Sequence, residues 1–121
     1  MIQDITFAVE NHFSNNWHHS QVNYEQSQFT PHGSEWVEVI VIPITSENVS
    51  IESCTNETYE LHTLIYGSNK VKAGLLADKV IAFLQNTNID KLRVRTWGTI
   101  ANGYLETNDT YFYKLFFDCN A

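Results

Sequence analysis

The chain has 121 residues, a formal net charge of −7, 43% hydrophobic and 13% aromatic content, which is enough apolar material for one core and predicts one domain over 1–121. Its longest apolar run, Val39–Ile42, falls far short of the roughly 18–20 residues of a membrane helix, and its negative charge disfavours a free-standing nucleic-acid binder. Met1–Ile5 lacks a basic segment and soon meets Glu10, so no secretory signal is read and cytoplasmic synthesis is expected.

Ile2, Ile5, Val9 and Phe13 recur at spacings of three and four, which predicts an amphipathic first helix ended by Ser14-Asn15-Asn16. Val22 and Tyr24 alternate with polar neighbours as a short strand does, and Phe29 to Ser34 reads as a turn-rich connection. Glu35 to Ile44 is the strongest strand, β-branched and closed by Pro43. Val37, Val39 and Val41 lie on one face, with Trp36, Ile40, Ile42 and Ile44 on the other. Both faces thus need cover, and the second is expected to meet a folded-over hairpin or a neighbouring subunit.

Val49–Cys54 and Tyr59–Tyr66 read as the next two strands, joined tightly at Thr55-Asn56-Glu57. The period then changes: over Lys70–Gln85 a broad stripe of Val71, Leu75, Leu76, Val80, Ala82 and Phe83 predicts a second helix. Gly74 inside it suggests close packing against another element. Leu92–Trp97 and Tyr111–Cys119 alternate as strands, and Gly98 to Asp109 is left as a short strand or a loop. Strands running between two helices describe an α+β fold, an antiparallel or mixed sheet with two helices packed on one face.

Charge is unevenly spread. Residues 1–69 hold nine acidic side chains and no Lys or Arg, while residues 70–121 hold all seven basic ones against five acidic. Either strands from the two halves interleave and the asymmetry cancels, or the chain has a negative flank and a less negative one suited to head-to-tail pairing with its own copies. Cys54 and Cys119 are far apart and fit small reduced core residues. The Asn-x-Ser/Thr triplets at Asn48, Asn56 and Asn108 carry little weight without a secretion signal.

Groups able to do chemistry are sparse. His12, His18 and His19 share no i,i+4 face and lack supporting cysteines or clustered carboxylates, so no metal site is expected. Glu35 and Glu38 fall on opposite strand faces and cannot serve together as acid and base. No Gly-x-Ser-x-Gly or phosphate-binding loop stands in the chain, and Gly98 and Gly103 read as hairpin punctuation. No catalytic residue, cofactor or membrane partner is expected. The densest positive cluster is Lys91, Arg93 and Arg95, with Trp97 continuing the row. It reads as a solvated face, as an anchor for an acidic neighbour, or as a weak contact with passing DNA. The candidate contact residues are therefore Glu35, Trp36, Glu38, Arg93, Arg95 and Trp97.

Phe29-x-Pro31-x-Gly33-x-Glu35-Trp36-Val37-x-Val39 leads into the long strand, a meander follows, and Gly74-Leu75-Leu76-Ala77-Asp78-Lys79-Val80 opens a helix. This order resembles the small tail terminator or tail completion proteins of long-tailed phages. The resemblance implies a virion subunit that forms a ring, usually of six copies, between a tail tube protein below and a head-completion or neck protein above. Such a ring ends tube growth and lets DNA pass without sequence-specific binding; the family has no catalytic signature to carry over. A head-closure or tube protein belongs to the same class. A different class is a small-molecule-binding or hydrolase- or isomerase-type cone fold, with Trp36, Trp97, Tyr104 and Tyr113 at a pocket mouth.

Overall fold

The computed structural model describes residues 2–24, 35–44, 58–90, 92–105 and 110–120. Among these residues two helices and six strands follow in the order α1 (Ile2–Asn16), β1 (Gln21–Tyr24), β2 (Trp36–Ile44), β3 (Thr58–Gly67), α2 (Lys70–Leu84), β4 (Asn88–Ile89), β5 (Leu92–Leu105) and β6 (Thr110–Asn120). The expected strand Val49–Cys54, its connection at Thr55–Glu57, the turn at Phe29–Ser34, Cys54 and Lys91 lie outside the described residues.

The six strands form one sheet in the order β1-β2-β3-β6-β5-β4. β1 runs parallel to β2, and every other neighbouring pair is antiparallel. The expected α+β class holds. Strict alternation sends one set of side chains inward: Val37, Ile65 and Tyr113 stand in register, as do Val39, Thr63 and Leu115, and Val41, Leu61 and Phe117. Except for half-buried Tyr113, these side chains are sealed in the core. Both helices lie over this face, α1 against β2 and α2 against β3 and β6. The sheet curls enough for α1 also to touch β4, near the far edge.

Ile5, Val9 and Phe13 of α1 are buried as their spacing requires, followed by Trp17, whose Nε1 donates to Ser20 Oγ at 3.1 Å. Phe83 of α2 joins them, with ring centroids 5.0 Å from Phe13 and 5.2 Å from Trp17, so the helices meet through aromatic contacts. Asn69 caps α2 by accepting from the Lys72 backbone N–H at 2.9 Å.

The stripe read for α2 is corrected. Ala73, Leu76, Ala77, Val80 and Leu84 are buried, whereas Val71, Leu75 and Ala82 are exposed. At 100° per residue the buried set centres on the side nearly opposite Leu75. Small Ala73 lets the helix descend onto Gly67, where a Cβ would lie 2.5 Å from the Ala73 nitrogen. Gly74, expected to mark tight packing, faces only the Tyr113 ring, with an added Cβ 3.7 Å from its hydroxyl, an ordinary contact.

Gly98 to Leu105 is strand, continuing β5 without a break in the chain. Its glycines are covered by rings on β6: Gly98 stands opposite Phe116 and Gly103 opposite Phe112, and a Cβ at Gly98 would lie 2.5 Å from the Phe116 ring. The aromatic rings occupy the space that the glycines leave, which decides between the short strand and the loop left open for this segment in favour of strand.

Candidate assembly surface

The first-half strands β1, β2 and β3 occupy one side of the sheet and the second-half strands β6, β5 and β4 the other. Among the strands the halves do not interleave, so the charge asymmetry survives across the sheet, while the helices cross it: α2, with Lys70, Lys72 and Lys79, packs on β3, and α1 reaches β4. The β1-β2-β3 flank contains no Lys or Arg, and Arg93, Arg95 and Lys114 all belong to the other.

The six candidate contact residues accordingly divide in two. Glu35 is exposed just before β2, Glu38 is half-buried on the outer face, and Trp36 is sealed against Tyr66, the rings stacked 4.5 Å apart at 16°. Burial and the negative charge of Glu38 push the Tyr66 hydroxyl up to about 12, so it stays a neutral donor. Arg93, Arg95 and Trp97 are exposed on β5. Between the groups lie β3 and β6, three strand spacings or about 14 Å across the sheet.

Arg93 and Trp97 do not share a row as expected. A register shift between Val94 and Trp97 inserts an extra residue, after which Trp97 stands opposite Phe117 on the helix side while Arg93 stands opposite Asn120 on the outer side. Trp36 also lies on the outer side, in register with Tyr66 and Phe112, whereas Tyr113 faces the helices. The four aromatics weighed as a pocket mouth are therefore divided between two faces.

β4 pairs only with Leu92 and Arg93, and the Val94 N–H donates to the Thr87 carbonyl at 2.9 Å. From Arg95 to Leu105, no strand among the described residues pairs with the outer edge of β5. That edge carries Trp97, Ile100 and Tyr104 at 40%, 47% and 52% exposure. Sequence reasoning weighed Trp97 for contact and Tyr104 for a pocket, and passed over Ile100. The available signal was the run from Thr96 to Leu105, ten residues without a charge.

Groups that could do chemistry are dispersed or held inert. His62 and Glu60 pair at 3.0 Å on the outer face, and Thr96 Oγ1 donates to Asp118 at 3.1 Å. Burial pushes the Cys119 thiol up to about 12, well away from a reactive thiolate. His12 lies against Phe83 with ring centroids 4.6 Å apart, and His19 meets the Trp17 ring edge at 4.9 Å. Among the described residues no three His, Cys, Asp or Glu side chains are grouped to hold a metal. Among the same residues, no helix is long and apolar enough to cross a membrane.

No family model matches the chain, and no curated protein matches it. Solved structures do share its fold. One, of a protein that carries only a sequence identifier for a name, is 14% identical, covers 98% of this chain and 94% of its own, and superposes with a TM-score of 0.71. Another is a chain from the virion of a native gene transfer agent particle, 12% identical over 95% of this chain and 92% of that one, with a TM-score of 0.63. At these identities the likeness is one of fold, spanning nearly the whole of each chain.

Proposed function

We propose that this chain is a structural subunit of a phage-type virion, a tail terminator that closes the tail tube as a ring of six copies and offers the surface to which the head docks. The observation that carries the reading is the end-to-end match of its fold to a gene transfer agent virion chain. Charge segregation across the sheet supports it. A cyclic ring needs two different patches per subunit, and Glu35 and Glu38 stand on one flank while Arg93 and Arg95 stand on the other. In this reading the partners are a tube protein below and a head-completion protein above, DNA passes through without sequence-specific contact, and no catalytic group is used.

The test is depletion of the protein during particle production, with tail length measured by electron microscopy. A terminator's loss gives overlong tubes and heads without tails. Absence of any tube points to a tube subunit, and particles with normal tails sink the terminator reading.

A further inference from the structure

The edge of β5 from Arg95 to Leu105 combines three features that folded chains usually avoid together. It is long, it has no strand partner among the described residues, and it bears large apolar side chains without a proline or an inward charge, its regular pairing with β6 interrupted by register shifts between Val94 and Trp97 and between Thr99 and Ala101. Backbone N–H and C=O groups without a strand partner among the described residues form a template for another strand. The basic residues Arg93 and Arg95 flank this edge at one end. The complementary surface is in the same molecule, on the β1-β2 flank, where Glu35 and Glu38 lie in a half without Lys or Arg. Within one sheet β3 and β6 stand between the two flanks.

From these observations we infer that the β5 edge is a strand-pairing surface for a second copy of this chain, presented through that copy's acidic β1-β2 flank. β1 and β2 run opposite to β5, so a second sheet continuing the first in the same sense meets β5 antiparallel, the more stable pairing. Because the two patches differ, the contact is heterologous and repeats from copy to copy until it closes. It supplies the subunit contact for the ring proposed above and rests on that reading for its place in a particle, although the contact itself is a property of the purified chain.

The test places a photoreactive benzoylphenylalanine at Ile100 and mixes that protein with an isotopically heavy copy lacking the probe. Cross-links from Ile100 should reach heavy peptides from residues 1–44. The double substitution Ile100→Glu with Tyr104→Glu, at exposed positions, should abolish association in sedimentation while leaving the thermal midpoint unchanged. Cross-links to the partner's β5 or β6, or no intermolecular cross-link at the highest soluble concentration, overturn the inference. So does a double variant that associates like the parent. Particles separate the two proposals: a monomeric double variant that restores normal tail length removes the β5 contact but not the virion role. The expected cross-links from a chain absent from particles do the reverse.

Discussion

The two ends of β5 have similar apolar content and opposite fates. Leu92 and Val94 are sealed in the core, whereas Trp97, Ile100 and Tyr104, on the same strand, lie open to solvent. The register shift after Val94 marks the boundary. Lateral placement explains the boundary: Tyr104, Tyr111 and Gly67 stand in register, and α2 reaches that level of the sheet through Ala73 on Gly67, but it lies over β3 and β6, to the side of β5. α2 settles on β3 and β6, α1 on β2 and β4, and the far end of β5 is left beyond them. Apolar patterning therefore specifies that a strand forms, and the placement of the helices decides which of its side chains the subunit itself can cover.

Substitutions at the two ends of this contrast should differ most. Phe117→Ala removes a fully buried ring from the inward row that the helices cover, and should cost about 3–5 kcal/mol by urea denaturation. Tyr104→Ala, on the open end, should stay within about 0.5 kcal/mol for the monomer. A large loss at Tyr104 would mean that the open end is covered within the subunit, and the contrast would fail.

Two glycines near the start of α2 sharpen the same point at smaller scale. Gly67→Ala drives a Cβ to 2.5 Å from the Ala73 backbone nitrogen and 2.7 Å from its Cα, where no side chain can rotate away. The helix must lift from the sheet, at a cost of about 1–3 kcal/mol. Gly74→Ala meets only the Tyr113 ring at ordinary contact distance and should raise stability by up to about 1 kcal/mol, read as a higher denaturation midpoint.

Most elements were legible because their periods were clean: Ile5, Val9 and Phe13 gave α1, and Val37, Val39 and Val41 gave the inward row of β2. What escaped was set by tertiary contacts. α2 is apolar on more than one side, so Val71 and Leu75 competed with Ala73 and Ala77 for the buried face, and the close approach at Gly67 decided the outcome. Between the short strand and the loop left open through Gly98 and Gly103, the choice depended on rings supplied by β6, which no local reading sees. β4 was missed because two residues make no period. For the candidate surface, composition revealed the charge asymmetry, and only strand order showed that it persists across the strands of the sheet.

The smallest expected effect tests how dry the helix-covered side is. Asn16 Nδ2 lies 3.4 Å from His12 Nδ1 and donates to the His12 carbonyl at 3.0 Å, while His12 Nε2 is buried without a partner. With Nδ1 as acceptor, Nε2 carries the proton of a neutral ring stacked on Phe83. Burial lowers the pKa of His12 below its ordinary 6.5, since the charged ring has no solvation there. Above pH 6.5 both folded and unfolded chains hold His12 neutral, and the shift contributes nothing. As pH falls through 6.5 the unfolded chain gains a proton that the folded chain resists, so stability is lost down to the folded-state pKa and then levels off. His12→Phe keeps a ring against Phe83 and removes the titration. Its urea midpoint should fall less than the parent's between neutral and mildly acidic pH, and equal slopes would mean that water reaches this side of the core.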